Sequence, residues 1–187
     1  MTGGGFKEVK SPSAIFLAGR GESVPGSITL VTRESTRSLL VEVQALVDDT
    51  QGSYPKRVAQ GLDAQRLSLL LAVLHRHCGI AIGERDVFVN VVGGLRISET
   101  AVDLALILAI FSSFRECRPP SKLVVFGEIG LTGEVRPVPF GEERLIEAQK
   151  HGFRQAVIPQ GNLPRKQIPD MDVMPVPSLD QALEIFH

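Results

Sequence analysis

An apolar run from Val102 to Phe111, broken only by Asp103, constrains the fold of this sequence more than any other feature. The run is shorter than the ~18 apolar residues that a membrane span needs. It therefore predicts a helix buried in a protein core, from about Glu99 to Phe114. A strongly apolar β run, Asp86–Val92, and the pair Gly93-Gly94 come directly before it. A strand, a glycine turn and a buried helix in this order are typical of an α/β domain.

The rest of the chain contains signals for both strands and helices. Apolar runs bounded by Gly, Pro and Ser predict further strands at Ser13–Leu17, Ser27–Thr32, Ser38–Val47, Leu123–Phe126, Gln155–Pro159 and Val173–Val176. Helical periodicity predicts helices at Leu62–Cys78, stopped by Gly79, at Glu142–Lys150, and after Ser178 as N-cap. Residues 52–57 are predicted to form a polar loop, and residues 127–141 to form short strands and turns. We expect an α/β fold with mixed sheets and packed helices.

Composition and charge set limits on function. The chain of 187 residues, 43% hydrophobic and 22% charged, has the composition of one soluble globular domain. Its net charge of −1 argues against a generally basic nucleic-acid binder but leaves room for a local basic stripe. The two cysteines, Cys78 and Cys117, give no disulfide framework, and no signal peptide is visible. These features are typical of a cytoplasmic protein with reduced thiols.

We expect this chain to bind no cofactor by itself. The phosphate-loop pattern GxxxxGK[ST] is absent from the sequence, so ATP binding is not expected. His75 and His77 are two residues apart on a predicted helix, so they do not share a face. Since no second ligand cluster exists in the sequence, these basic residues are better explained as a helix end that complements the helix dipole.

Two hydroxyl side chains, Ser98 and Thr100, stand at the start of the buried helix, where many hydrolases place a nucleophile. A nucleophile needs an activating partner such as His, Lys or an amine within hydrogen-bond reach. The simpler interpretation is that Ser98 is the helix N-cap and that Glu99 in the first turn is favoured by the helix dipole.

The segment Gly127–Val138, GEIGLTGEVRPV, resembles the proteolytic domain of Lon proteases. The resemblance continues through the following helix to Gly152 and to a strand that ends in Val157–Pro159. It implies the Lon proteolytic-domain fold and, in the active members of that family, a serine–lysine catalytic dyad.

The positions of that dyad hold other residues here. The best register places Thr100 at the serine and Glu142 at the lysine. The nearest cation, Arg144, is expected to face another side of the helix, and arginine stays protonated in proteins. The resemblance therefore implies a pseudo-protease, a Lon-like domain without catalytic activity. The alternative is a diverged Lon-type peptidase that uses Thr100 or Ser98.

The resemblance extends over almost the whole chain for one Lon-like group, the carboxy-terminal domain of the RadA (Sms) family of bacterial DNA repair proteins. Matching segments include Pro12–Leu17, Leu40–Val47, Gly61–Asp63, Leu71–Leu74, Asp86–Asn90 and Asp103–Ala105. It implies that residues 1–11 are a linker from a preceding RecA-like ATPase domain and that residues 12–187 are a Lon-like non-proteolytic domain. Binding of ATP, Mg and Zn is then implied only for segments upstream.

The same resemblance implies a setting and partners. The family is expected to form a homo-hexameric, ATP-driven motor that extends recombination intermediates by branch migration. Its implied partners are single-stranded and branched DNA, other copies of the chain and a RecA-type recombinase, with no membrane. In that setting this domain is expected to act as a scaffold for the ring and to contact DNA.

Four basic residues are candidates for contacts with DNA phosphates: Lys56 and Arg57 in the loop before a helix, Arg66 in the first turns of that helix, and Arg96 after the glycine pair. Glycines allow a backbone to approach a phosphate closely. Together these residues could form a track that binds phosphates without sequence preference. The alternative is that they are solvated or salt-bridged arginines. The same alternatives apply to Asp103, which is predicted to form either an internal salt bridge or a contact across a subunit interface.

Overall fold

The computed structural model describes residues 22–187, so the predicted strand Ser13–Leu17 and the predicted linker 1–11 lie outside the described residues. The strands are β1 (Ser27–Glu34), β2 (Arg37–Asp49), β3 (Arg57–Gln60), β4 (Arg85–Val91), β5 (Leu123–Val125), β6 (Glu128–Ile129), β7 (Val135–Arg136), β8 (Gln155–Pro159) and β9 (Asp172–Val176). The α-helices are α1 (Ala64–Cys78), α2 (Asp103–Arg115), α3 (Gly141–Lys150) and α4 (Leu179–Ala182). Short 3₁₀ helices lie at Thr100–Val102, Gln160–Asn162 and Leu183–Phe186.

Seven strands form one mixed sheet in the order β3-β4-β2-β1-β5-β8-β9, and β6 and β7 form a separate hairpin. The pairs β1–β2 and β2–β4 are antiparallel, β1 and β2 being joined by a short hairpin turn, whereas β3 and β4 are parallel with helix α1 between them. The pairs β1–β5, β5–β8 and β8–β9 are parallel, with helices or long connections between them. The expected α/β fold with a mixed sheet and packed helices is confirmed.

Helix α2 forms the centre of the core and packs against β1 and β2. Its residues from Asp103 to Ser112 are all buried, as expected for a helix that is apolar on every side. Two serines near its end join it to the residue before β1 and to β2: Ser112 Oγ accepts from Gly26 N at 2.9 Å, and Ser113 Oγ accepts from Val47 N at 2.9 Å. Between residues 22 and 187 no helix is long and apolar enough to cross a membrane.

Helix α1 confirms the predicted stop at Gly79 and starts two residues later than predicted. Asp63 is its N-cap, with a side chain that accepts from the backbone N–H of Gln65, and Gly79 ends it in a left-handed conformation. At the end of the chain, Ser178 accepts from the backbone N–H of Gln181, as predicted for the N-cap of the last helix.

Two local predictions were wrong. Arg57, predicted to lie in a loop, is the first residue of strand β3, whose four residues are too few to show a two-residue hydrophobic period. Ser98 is not the N-cap of the buried helix, because the chain first makes the 3₁₀ turn Thr100–Val102, with Glu99 at the cap position. The carboxylate of Glu99 is engaged elsewhere, as described below.

Gly61 is the tightest point between β3 and the loop before α2. It has a φ of +81°, and an added Cβ would lie 2.7 Å from Leu95 O and 2.8 Å from Val91 Cβ. Gly79 has a similar φ of +67° with no atom within 4 Å of such a Cβ. We expect Gly61→Ala to lower the free energy of unfolding by about 1–3 kcal/mol more than Gly79→Ala, because only Gly61 adds a steric clash to backbone strain. Urea unfolding measures both variants, and equal losses would contradict the close approach.

Candidate nucleic-acid interface

The segment that joins β4 to α2 presents Arg96 on the surface. Gly93 and Gly94 turn the chain with φ values of +94° and +76°, which glycine adopts without strain. The next anchor is Ile97, which is buried and whose N–H donates to Gly61 O at 2.9 Å. Since Ile97 is fixed, Arg96 is held in an exposed position at the edge of the sheet. Within the part of the chain that the structure describes, its guanidinium has no hydrogen-bond or ion-pair partner.

Glu99 forms an ion pair with the buried Arg144, next to Thr100, the residue that the Lon resemblance places at the nucleophile position. Arg144 Nη2 donates to Glu99 Oε1 at 2.7 Å, and Arg144 Nη1 donates to Glu99 Oε2 at 2.9 Å. The same Oε2 accepts from Thr32 Oγ1 and from Arg33 N, each at 2.6 Å. Arg144 is 1% exposed and also donates to the carbonyls of Val31 and Pro139. The pair therefore joins β1, the entrance of α2 and the first turn of α3.

The surroundings of Glu99 favour its charged form. Burial by itself would raise the pKa of this carboxyl, but the hydrogen bonds from Arg144, Thr32 and the Arg33 backbone lower it below its ordinary value. The guanidinium of Arg144 points into the protein and meets Glu99, whereas Glu142 is exposed, so the two residues face different sides of their helix as expected.

The two residues that the Lon resemblance places at the dyad positions are both on the surface. Thr100 and Glu142 are exposed, and in residues 22–187 neither side chain has a hydrogen-bond partner. Arg144, the nearest cation along the chain, is bonded to Glu99 by both oxygens of that carboxylate. Among the described residues, no basic side chain forms a hydrogen bond with the hydroxyl of Thr100 or of Ser98.

Asp103 forms an internal salt bridge, which is the first of the two alternatives predicted for it. Arg66 forms an ion pair with Asp103, with Nε at 3.0 Å from Oδ1 and Nη2 in contact with Oδ2. The backbone N–H of Ile129 donates to Asp103 Oδ2 at 3.0 Å, and Arg66 Nη2 donates to the Ile129 carbonyl at 3.1 Å. This pair fastens α1 to α2 and to the β6–β7 hairpin.

The protonation of this second pair reflects its burial. The hydrogen bond to Asp103 raises the pKa of Arg66, while burial raises the pKa of Asp103 against the hydrogen bonds from Arg66 and Ile129. The Asp103 side chain has no exposed surface and that of Arg66 is 28% exposed. Asp103 therefore depends on Arg66 to remain ionised.

Arg57 also makes its hydrogen bonds within the fold, in this case to backbone carbonyls. Its guanidinium donates to the carbonyls of Ile82 at 3.3 Å and Gly83 at 3.2 Å, and it contacts the carbonyl of Arg85. Partial burial lowers the pKa of Arg57. Lys56 beside it is exposed, and its side chain has no partner among the described residues.

The structure brings together two of the four basic residues predicted to contact DNA. Arg66 and Arg96 line one cavity of about 270 Å³, together with the hydroxyl residues Ser98 and Thr100. Lys56 and Arg57 do not line it. Arg57 starts β3 and Gly61 follows its end, about 13 Å away for four extended residues, and the Arg96 loop is attached at Gly61.

One basic residue that the sequence reasoning missed lies next to Arg96. Arg33, at the end of β1, lines a second cavity of about 280 Å³ that Arg96 also lines. Its guanidinium carbon lies 4.1 Å from the ring centroid of Phe140. The only sequence signal was the run of charged residues RESTR between two apolar strands, which marks a hairpin turn but not its neighbours in space.

The described residues contain neither a cluster of metal ligands nor a reactive thiol. No group of three His, Cys, Asp or Glu residues there could hold a metal ion. His77 Nε2 lies 2.9 Å from the carbonyl of Leu131, at the end of α1. Burial raises the pKa of the Cys78 thiol to about 11, so this thiol is protonated at neutral pH.

Sequence comparison relates the chain to one family and to a set of longer proteins. Residues 64–162 match the family described as subunit ChlI of Mg-chelatase. The DNA repair protein RadA of Haemophilus influenzae is 55% identical over 186 residues, 100% of this chain and 41% of that protein. RadA of Escherichia coli is 54% identical over 186 residues, 100% of this chain and 40% of that protein, and RadA of Pseudomonas aeruginosa is 55% identical over 184 residues, with 98% and 41% covered. The chain spans about two fifths of the length of these relatives.

A double-mutant cycle tests the ion pair of Arg66 and Asp103. We expect Arg66→Met to lower the free energy of unfolding by about 3 kcal/mol, because it leaves Asp103 buried without a counter-charge. The double variant Arg66→Met, Asp103→Leu should recover to within about 1 kcal/mol of the wild type. Chemical denaturation of the wild type, Arg66→Met, Asp103→Leu and the double variant gives the coupling energy. Additive losses would mean that the two side chains do not stabilise each other.

The ion pair of Glu99 and Arg144 should make stability depend on pH. Because the folded-state pKa of Glu99 is lowered, its contribution is present above the unfolded pKa of about 4.3 and is lost as the pH falls through the folded value. Glu99→Gln should therefore cost about 3 kcal/mol at pH 7, and the difference from the wild type should shrink below about pH 4. Thermal and urea unfolding from pH 2 to pH 7 measure this. The control Glu184→Gln replaces an exposed carboxylate, and a similar pH-dependent difference there would refute the role of Glu99.

Proposed function

This chain belongs to the family described as subunit ChlI of Mg-chelatase and is homologous over its whole length to part of bacterial RadA, and from this premise we propose that it is a DNA-contacting and ring-forming domain of a DNA repair motor. The description of the relatives as DNA repair proteins supports this proposal more strongly than the family description does, because the relatives match the entire chain. The proposed fold type is that of the Lon proteolytic domain.

The observation that carries the proposal is the presentation of Arg96. The residues that follow it are anchored, Ile97 by its bond to Gly61 and Glu99 by its ion pair with Arg144, yet the guanidinium of Arg96 is exposed and unpaired within residues 22–187. An arginine in this state keeps all its donors for a phosphate oxygen. The net charge of −1 leaves such a local contact as the source of electrostatic attraction to DNA.

The four predicted DNA contacts then divide into two kinds. We assign the phosphate contacts to Arg96 and Lys56, whose charged groups have no partner in the described part of the chain. Arg57 and Arg66 act indirectly: Arg57 holds the loop that enters β4, and Arg66 neutralises Asp103 at the start of α2. Arg66 retains access to the cavity that it shares with Arg96, so it adds positive charge there.

In the proposed setting the domain works in a larger, cytoplasmic protein. A RecA-like ATPase segment would supply ATP hydrolysis with Mg, a further segment would bind Zn, and six chains would form a ring around single-stranded or branched DNA. A RecA-type recombinase would supply the intermediates for branch migration during homologous recombination. This domain itself would bind no cofactor and would serve as scaffold and DNA contact.

The same proposal makes the domain non-proteolytic. Its support is the exposed Thr100 and Glu142 at the dyad positions and the engagement of Arg144 with Glu99. Incubation with an unfolded protein and with a serine-reactive probe tests this directly, because labelling of Thr100 or Ser98 would favour the diverged peptidase instead.

Binding of labelled single-stranded and duplex DNA at two salt concentrations tests the DNA contact. We expect Arg96→Gln and Lys56→Gln each to lower the log–log salt slope by about 0.9 for duplex DNA, as the loss of one phosphate contact does. Arg118→Gln is the matched control: it removes the same charge from an exposed arginine beyond the far end of α2, about 20 Å along that helix.

The outcomes of this measurement separate the two kinds of arginine. Arg57→Gln should lower the melting temperature but leave the salt slope of the folded protein unchanged, because the donors of Arg57 are bonded to carbonyls. If Arg96→Gln and Lys56→Gln behave like Arg118→Gln, the proposed contact with DNA is wrong.

A further inference from the structure

Arg33 is an arginine with unused donors beside the proposed contact residue. Its Nη1 makes one long hydrogen bond, 3.3 Å, to Ser38 Oγ. Its Nε is buried and has no hydrogen-bond partner in the described chain. No carboxylate among residues 22–187 forms an ion pair with it. A guanidinium with five N–H donors is therefore left mostly unsatisfied, which is costly unless a ligand or solvent completes it.

The position of Arg33 is fixed by its neighbours. Its guanidinium carbon lies 4.1 Å from the ring centroid of Phe140, a cation–π distance. Its backbone N–H donates to Glu99 Oε2 at 2.6 Å, which attaches the end of β1 to the segment that carries Arg96. The Glu99 carboxylate thus connects the segment of Arg33 to the segment of Arg96.

The cavity between these arginines has the electrostatics of an anion site. Both Arg33 and Arg96 line it, with the hydroxyl residues Thr32, Ser35 and Ser98. The negative charge of Glu99, which also lines it, is compensated by two hydrogen bonds from Arg144. The remaining carboxylate, Glu34, is exposed. Two arginines thus face one free carboxylate, and the cavity of about 280 Å³ can hold a phosphate group.

We propose that Arg33 and Arg96 form an oxyanion subsite that binds one phosphate group, and that Phe140 positions Arg33 for it. The proposal rests on the proposed function only for the source of the phosphate, which we take to be the backbone of a nucleic-acid strand. Glu99 is a positioning residue in this subsite, since it touches the backbone of Arg33 and lies three residues from Arg96.

Two measurements on the complete chain test the subsite separately from the proposed function. The first follows the Nε–H resonance of Arg33 by ¹⁵N NMR during titration with inorganic phosphate. We expect a saturable shift in the wild type, no such resonance in Arg33→Lys, which assigns it, and no shift in Arg96→Gln. Thermal unfolding of each variant confirms that it is folded.

The second measurement is the anisotropy of a labelled single-stranded oligonucleotide at two salt concentrations. We expect Arg33→Gln to lower the salt slope by about 0.7 and to weaken binding about fivefold at 0.1 M salt, as the loss of one phosphate contact does. Arg33→Lys should retain the slope because it keeps the charge. Arg37→Gln is the matched control, since Arg37 is an exposed arginine of the same hairpin that does not line the cavity.

Each outcome decides the proposal. Phosphate shifts together with an Arg33-dependent salt slope support the subsite and its nucleic-acid source. Phosphate shifts without any oligonucleotide binding support the subsite for free phosphate and overturn the proposed function. Oligonucleotide binding that Arg33→Gln leaves unchanged, without a phosphate shift, overturns the subsite and leaves the proposed function standing. An equal effect of Arg37→Gln also overturns it, because the effect would then follow total charge alone.

Discussion

The ion pair between Glu99 and the buried Arg144 is the interaction on which the rest of this structure depends. Four hydrogen bonds reach the Glu99 carboxylate, from Arg144, Thr32 and the backbone of Arg33. A buried pair is tolerated only when its remaining donors and acceptors are satisfied, and here the carbonyls of Val31 and Pro139 complete Arg144. The pair therefore joins strand β1, helix α3 and the loop before α2 in one arrangement, and it determines where Arg96 can lie.

A second pair, Arg66 with Asp103, repeats this principle on the other side of the same loop. In both pairs an arginine compensates a carboxylate at the entrance of an almost wholly apolar helix. The basic groups outside these pairs keep their charge and their hydrogen-bond donors for a ligand. This is why the proposed interface rests on Arg96, Lys56 and Arg33 and not on every arginine near the loop.

Sequence reasoning predicted most of the fold because its signals were local. The stop at Gly79, the N-cap Ser178 and the buried run in α2 all act within one or two helical turns. It failed where local signals were short or absent. Strand β3 has four residues and is recognisable only through its parallel pairing with β4. Ser98 had the features of an N-cap, but Glu99 forms an ion pair with Arg144, and the chain enters the helix through a 3₁₀ turn.

The sequence by itself determined the α/β class, the buried helix and the absence of lysine from the expected dyad position, because these depend on residue type and near neighbours. It also showed that Asp103 needs a partner, since a buried charge is costly whatever surrounds it. Only the tertiary structure decided which partner. Arg66 lies 37 residues from Asp103 and Arg144 lies 45 residues from Glu99, so neither pairing leaves a periodic trace in the sequence. The same holds for Arg33 and Arg96, which share a cavity because sheet and helix packing place the ends of two distant segments together.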